Sequence, residues 1–259
     1  MWLCIYLKRD RSGDMLTIGH GVSLSDDTFL GENVSIGNNV TIYPKVIIDD
    51  NCIIFDGAVI GRPPRTTGNT TRPLNDNSRQ LRVGPGSVIG ANVVLYEGIT
   101  LGARVLIGDL ATIREGCDLA DDVVFGRSAM MMYETKVGAR TRIVDGAILT
   151  GNMIVEEDVF IGPGANSIND NDVYFKRFGL EAFSVKGPVV RRFALIGAGA
   201  NLAADVEVGK GAIAAPNAMI INNVPPWTIV AGIPARPVGE VSLEDQRRLL
   251  LHFGLDKEP

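Results

Sequence analysis

Histidine is nearly absent from this chain, with His20 and His252 the only two in 259 residues. Two imidazoles cannot build a three-histidine zinc centre, and no Cys/His spacing reads as a metal site, so no metal is expected. Three cysteines make a poor disulfide set. Aromatic residues are scarce at 6%, which suits a narrow, turn-rich body better than a layered sandwich. Positive charge is in deficit, the net charge being −5, which excludes the basic surface of a nucleic-acid binder. Long apolar runs are missing as well. The N-terminal run from Trp2 to Leu7 is six residues long before Lys8 and Arg9, too short for a signal core or a membrane span. It reads as a cap over the start of the fold. A soluble, cytoplasmic protein with no membrane partner is expected.

What the chain has in abundance is period. From Val83 every sixth residue is large and apolar through fourteen consecutive sites, ending with Leu149, Val155 and Ile161. Four residues after each stands a small or β-branched residue in most cases, such as Val93, Ala111, Ala129 and Ala147. Cys52 and Cys117 occupy this same small slot and are expected to be core thiols. A period of six is neither the 3.6 of an amphipathic helix nor the 2 of a half-buried strand. It is the hexapeptide repeat of a β-helix, in which short strands joined by tight turns stack coil on coil.

Two interruptions divide the repeat. A first block runs from Ile18 to Ile60, with Gly, Asn and Asp at its corners, as in Gly31-Glu32-Asn33 and Gly37-Asn38-Asn39. Residues 62–82 then lose the period and carry five arginines, Arg62, Arg65, Arg72, Arg79 and Arg82, against one acid, Asp76. A guanidinium fork suits phosphate; a solvated excursion packing on a neighbouring subunit is the alternative. After the central block the period fails again, near 168–189, and resumes at Val190, Ile196, Leu202, Val208, Ala214 and Ile220. Blocks of 8, 14 and 6 repeats give 28, or about nine triangular coils and roughly 45 Å of prism at one strand spacing per coil. The prolines of Val224-Pro225-Pro226-Trp227 are expected to terminate the stack. Ser242 with Glu244 and Asp245 announces a terminal helix, covering the open end of the prism or a partner chain. The chain therefore divides into a β-helix over 1–238 and a helical tail over 239–259.

Three segments carry a resemblance to a known family. Ile196-Gly-Ala-Gly-Ala-Asn201 and the ending Val224-Pro-Pro-Trp-Thr-Ile-Val-Ala-Gly-Ile-Pro-Ala-Arg236-Pro237 resemble the end of the hexapeptide-repeat acyltransferases. Glu157-Asp-Val-Phe-Ile-Gly-Pro163 followed by Asn169-Asp170-Asn171 resembles the N-acyltransferases of nucleotide-linked amino sugars. The resemblance covers residues 18–238. It implies a left-handed parallel β-helix, an exception to the usual right-handed crossover. It also implies a homotrimer with sites between prisms, an acyl-CoA donor (acetyl or a short hydroxyacyl group) and a nucleotide-linked amino sugar as acceptor. The family's Pro-Arg pair is replaced here by Asp172-Val-Tyr-Phe-Lys-Arg177, which leaves the sugar and the acyl group open.

Acyl transfer from a thioester asks little of a protein. The thiolate leaves readily, a thiol pKa being near ~8.5, and an unprotonated amine attacks without help. Positioning and a few oxyanion donors suffice. A hydroxyl acceptor needs a base, usually His, so the shortage of His favours N-acylation. Through the resemblance, Asp145 is the candidate base. Its alternative is structural: Asp145-Gly146 is a turn dipeptide, and Asp109, Arg127 and Asp145, 18 residues apart, would stack as an ion ladder. Asn152 would orient the amine or simply form its turn. Asn169, Asp170 and Asn171 would contact the sugar or the pantetheine end, or else hold the exit as an Asx network. Arg177 would meet a phosphate. Glu97 and Glu115 read as turn residues. For the coenzyme, Ala198, Ala200 and Ala215 would let the pantetheine arm lie close to the coils, and Arg191, Arg192, Lys210 and Arg236 would serve its phosphates. O-acetylation, a non-sugar amine acceptor and a non-catalytic β-helix scaffold are the competing readings.

Overall fold

The computed structural model describes residues 16–70, 72, 74 and 79–255. The run from Trp2 to Leu7 and Asp76 lie outside the described residues. Among the described residues the chain is a β-solenoid whose three faces hold twelve, ten and nine strands, all parallel but the last of the twelve. The first face begins at Thr17–Ile18, the second at Ser23–Leu24 and the third at Phe29–Leu30. Within each block of repeats a strand pairs in parallel with the strand 18 residues on, as Thr112 does with Met130 and Met130 with Ile148, and across each interruption the partner is 35 residues on, as Ile154 pairs with Val189. Every coil thereby satisfies the backbone of the coil beneath it.

The period of six is an inside-outside code. The fourteen sites from Val83 to Ile161 all point inward, none more than 3% exposed. The small slots four residues later are equally buried, and they include Cys52 and Cys117. Burial pushes the Cys117 thiol up to about 12 and raises that of Cys52, so both are inert packing groups. Where the small slot is polar it is satisfied internally: Thr135 Oγ1 donates to the Thr150 carbonyl at 2.7 Å and Thr141 Oγ1 to that of Glu156 at 2.8 Å. Corners turn through left-handed residues, with φ of 55° at both Asn33 and Asn39, the residue type that tolerates this conformation best after Gly.

Three expectations are corrected. The repeat does not stop at Ile161, because Asn166–Ser167 forms a further second-face strand. Its inward slot holds Ser167, whose Oγ donates to the Ile148 carbonyl at 3.2 Å and accepts from the Thr150 N–H at 2.9 Å. A polar residue in an apolar slot hid the strand. The prolines do not end the stack on every face either. The third face stops at Glu207–Val208, with one bridge from Val224, but Thr228–Ala231 continues the first face on Ile213–Ala214. Arg236–Glu240 then folds back on it antiparallel. Pro225 and Pro226 sit at the corner, where their missing N–H costs no ladder bond. About nine coils therefore describes the shortest face and undercounts the longest.

The terminal helix runs over Leu243–His252, and Ser242 Oγ accepts from the Asp245 N–H at 3.1 Å. Its contact with the prism is on an edge: Phe253 packs on Phe193 with ring centroids 4.9 Å apart, and Arg192 lies over both rings. Among the described residues no helix is long and apolar enough to cross a membrane.

Candidate functional site

Both interruptions leave the prism by the same edge, where the second face turns into the third. The first excursion separates Val59–Arg62 from Leu81–Val83, and the second separates Asn166–Ser167 from Val189–Val190. Between them this edge carries Tyr96, Glu97, Arg114, Glu115, Tyr133, Glu134 and Gly151, at one per-coil spacing of 18.

The first excursion is laid along that edge by its arginines. Arg62 donates to Tyr96 Oη at 2.9 Å and lies over the Tyr96 ring. Arg72 Nη1 and Nη2 both reach Glu115 Oε1, at 2.7 and 2.6 Å, while the guanidinium sits 3.7 Å from the Tyr133 ring centre. Arg79 pairs with Glu134 at 2.9 Å, and Arg82 forks onto Asp49. The cluster expected to meet phosphate is thus spent on internal partners at four of its five positions; Arg65 is exposed. Glu115, read from sequence as a turn residue, is 1% exposed and is gripped from its other side by Arg114 at 2.9 and 3.0 Å. Burial pushes its carboxyl up, but hydrogen bonding and charge from Arg114, with charge from Arg72, outweigh this and hold it below the usual range.

At the second excursion the Asn-Asp-Asn residues serve chiefly to hold the exit. Asp170 Oδ1 accepts from Lys176 Nζ and from the Asp172 N–H, both at 2.8 Å, and Lys176 also ties to the Ser184 carbonyl at 2.7 Å. Asn171 exchanges two hydrogen bonds with the Ala204 backbone. These two side chains form the Asx network that was the alternative. Asn169 is different. Its Nδ2 donates to the Gly151 carbonyl at 3.1 Å and to Tyr133 Oη at 3.2 Å. A carbonyl accepts only, so this orients the amide and leaves Oδ1 without a partner among the described residues. Tyr133 Oη, accepting here, keeps its own proton to donate. The edge therefore presents an acceptor and a donor side by side. Asn152, one coil below Asp170 in the column, is an exposed left-handed corner with φ of 60°, and Arg177 lies over Phe178 rather than on an acid. Lys176, which sequence reasoning passed over, is the basic residue that the acid takes.

Asp145 stands on a different edge, where the first face turns into the second. Its Oδ1 accepts from the Arg127 N–H at 2.7 Å and its Oδ2 from Arg127 Nε and Nη2 at 3.0 and 2.6 Å. The Arg127 hydrogen bonds hold its carboxyl below the usual range. Asp109 and Asp121 cap backbone N–H groups one coil back in the same way, at 2.8 and 2.9 Å. Asp145 is thus a member of a repeated corner device, and it reaches none of Asn152, Asn169, Asp170 or Asn171 within one chain.

The same edge continues through Pro163 to Ala198 and Pro216, joined by Gly164 N to the Asp145 carbonyl, Gly199 N to that of Pro163 and Asn217 N to that of Ala198. Ala198 and Ala215 lie half-exposed on it, a small-residue track fit for an extended arm. Ala200 is corrected: it is fully buried in the core, so its side chain cannot touch a coenzyme. Arg191 is taken by Glu156 and Glu207, and Arg192 by Glu157 and Asp158, which spends the charge intended for phosphates. Lys210 is half-exposed, and Arg236 is exposed beside a cavity of about 220 Å³ at the end of the prism. Among the described residues no group of three His, Cys, Asp or Glu could hold a metal ion.

Comparison with known proteins agrees with this architecture. The bacterial transferase hexapeptide (six repeats) family matches residues 27–62. Serine acetyltransferase of Salmonella typhimurium is 43% identical over 127 residues, and that of Escherichia coli K12 is 28% identical over 127, each match covering 44% of this chain and 45% of the relative. The chain spans under half the length of these curated relatives. The crystal structure of LpxA, a UDP-N-acetylglucosamine acyltransferase from Bacteroides fragilis, superposes with a TM-score of 0.56 at 16% identity over 88% of this chain and 76% of that one, a likeness of fold. The chain is thus similar to the bacterial transferase hexapeptide family over residues 27–62 and to serine acetyltransferases over 44% of its length, and it shares the fold of the LpxA structure.

Proposed function

We propose that the protein is an acyl-CoA-dependent acyltransferase, with the amino group of a nucleotide-linked amino sugar as its acceptor. The observation that carries this reading is the unspent pair at the excursion edge, Asn169 Oδ1 and the Tyr133 hydroxyl proton. A carbonyl oxygen accepts an amine N–H and aims the nitrogen lone pair, and a hydroxyl proton serves a neighbouring sugar oxygen. The carboxylates on that edge are buried or paired with arginines, and an unprotonated amine attacking a thioester needs no strong base. Both imidazoles are remote: His20 is an exposed corner of the first coil and His252 closes the terminal helix. The donor would lie along the Asp145–Ala198–Ala215 edge. Because that edge and the acceptor edge are different edges of one prism, the reading calls for a homotrimer in which a donor edge faces an acceptor edge of the next subunit. Lys210 and Arg236 are the residues proposed for coenzyme phosphates. The left-handed winding, the division into a prism over 1–238 and a tail over 239–259, and a cytoplasmic setting belong to the same proposal.

A second reading, transfer to a hydroxyl, is favoured by the serine acetyltransferase matches. It would require a base, and the carboxylates of the excursion edge are buried, as Glu97 and Glu115 are, or paired with an arginine, as Glu134 is with Arg79. A crystal of the protein with coenzyme A tests the proposal. Coenzyme A along the Asp145–Ala198 edge, its sulfur facing Asn169 of the next subunit, is the expected result. Absence of coenzyme A binding by calorimetry would leave a scaffold as the better description.

A further inference from the structure

Tyr133 belongs to no motif in the sequence, yet both excursions meet on it. One ring face receives the Arg72 guanidinium at 3.7 Å from the centroid. The ring also rests against Gly151, where a Cβ would come within 2.6 Å of Cε2 and Cζ. The hydroxyl oxygen accepts from Asn169 Nδ2 at 3.2 Å. Ring and hydroxyl are therefore held from three sides, by the first excursion, the coil above and the exit of the second excursion. Arg72 is held in its turn by Glu115, which is shielded from water and bound also by Arg114. A carboxylate so buried must keep its cations, so Arg72 has a strong reason to stay docked on Glu115.

We propose that Tyr133 is the positioning residue of the acceptor site, and that the docked first excursion is what sets it. In the series Glu115–Arg72–Tyr133–Asn169, each contact fixes the orientation of the next group. The last is the Asn169 amide, whose free oxygen is the acceptor-facing atom. The inference rests on the functional reading above for Asn169, but the physical coupling between the two excursions stands on its own. It also gives a role to the arginines that pair with acids, Arg72 with Glu115, Arg79 with Glu134 and Arg82 with Asp49: they are clasps.

Two substitutions and two readouts test it. Tyr133→Phe removes one hydroxyl and keeps the ring, the Arg72 stack and the Gly151 contact. Arg72→Ala removes the stack and leaves Glu115 with Arg114. In the apoprotein, hydrogen exchange of residues 169–172 is expected to rise about fivefold or more in both variants, with the 228–240 hairpin unchanged. In acyl-transfer assays both are expected to raise the acceptor KM about tenfold, the scale of one lost hydrogen bond, leaving the KM for acyl-CoA as it was. Unchanged exchange at 169–172 overturns the coupling, whatever the activity. Raised exchange with acceptor and donor KM moved equally makes Tyr133 a structural buttress and overturns the positioning role. If the protein transfers no acyl group at all, the functional reading fails and the exchange result alone decides the coupling.

Discussion

Arg127 gives three hydrogen bonds to one carboxylate, that of Asp145, from its backbone N–H, Nε and Nη2. A general base must have a lone pair free near neutral pH, and this carboxylate is both occupied and held below the usual range. Asp145→Asn keeps the oxygen that takes the Arg127 N–H and loses the ion pair. Activity is expected to stay within about fivefold of the parent, because an exposed pair contributes little, and the neutral-range pH profile should not move. Rate measurements with saturating acyl-CoA check this; abolished turnover with coenzyme A binding intact would make Asp145 a required base.

Glu115 is where stability should depend on pH. Its carboxyl is depressed in the folded state by Arg114 and Arg72 despite burial. The sign follows: its contribution is fully present above the unfolded glutamate range and is lost as pH falls through the depressed folded value. Glu115→Ala leaves two arginines unpaired beside the core and is expected to cost about 3–5 kcal/mol. In urea melts, the parent should lose stability on acidification more steeply than the variant. Parallel curves would show that Glu115 is not the titrating anchor.

Two glycines on the Asp145 edge make a controlled pair. A Cβ on Gly126 would meet Asp145 N at 2.5 Å and Val144 C at 2.6 Å, both backbone, whereas one on Gly146 meets nothing within 4 Å but must adopt φ of +69°. Gly146→Ala is expected to cost about 1–2 kcal/mol, the ordinary left-handed penalty. Gly126→Ala must push two coils apart and should cost more. Thermal melts of the two variants give the comparison, and equal losses would contradict the close coil contact.

The prism was legible because its code is redundant. One apolar residue every six and one small residue four further on repeat often enough that each coil confirms its neighbours, and all fourteen sites from Val83 to Ile161 are core. What stayed hidden was whatever broke the code for a local reason. Ser167 fills an inward slot with a hydroxyl satisfied by two backbone groups. In the column of Asp109, Arg127 and Asp145 the side-chain pairing is that of Arg127 with Asp145. Longer pairing runs along another edge, where Arg104 forks onto Asp122 and Arg140 onto Asp158, with Arg192 beyond.

At the site, the edge that matters was signalled by the two interruptions of period but not by its residues. Glu115, Tyr133 and Lys176 each look like ordinary corner or loop residues. They gain meaning when a distant segment is laid across them, and pairs such as Arg72 with Glu115, 43 residues apart, have no local signature. A count of partners on each of the arginines in 62–82 would have needed the fold first.

The central claim is acyl transfer to an amine, and its most direct measurement is acceptor-dependent release of free thiol from acetyl-CoA and short hydroxyacyl-CoAs. The acceptors would be nucleotide-linked amino sugars, the same sugars with hydroxyl in place of the amine, and serine. The account predicts thiol release that depends on the amine and fails with its hydroxyl counterpart. Release with serine or the hydroxyl sugars and none with the amino sugars would contradict it.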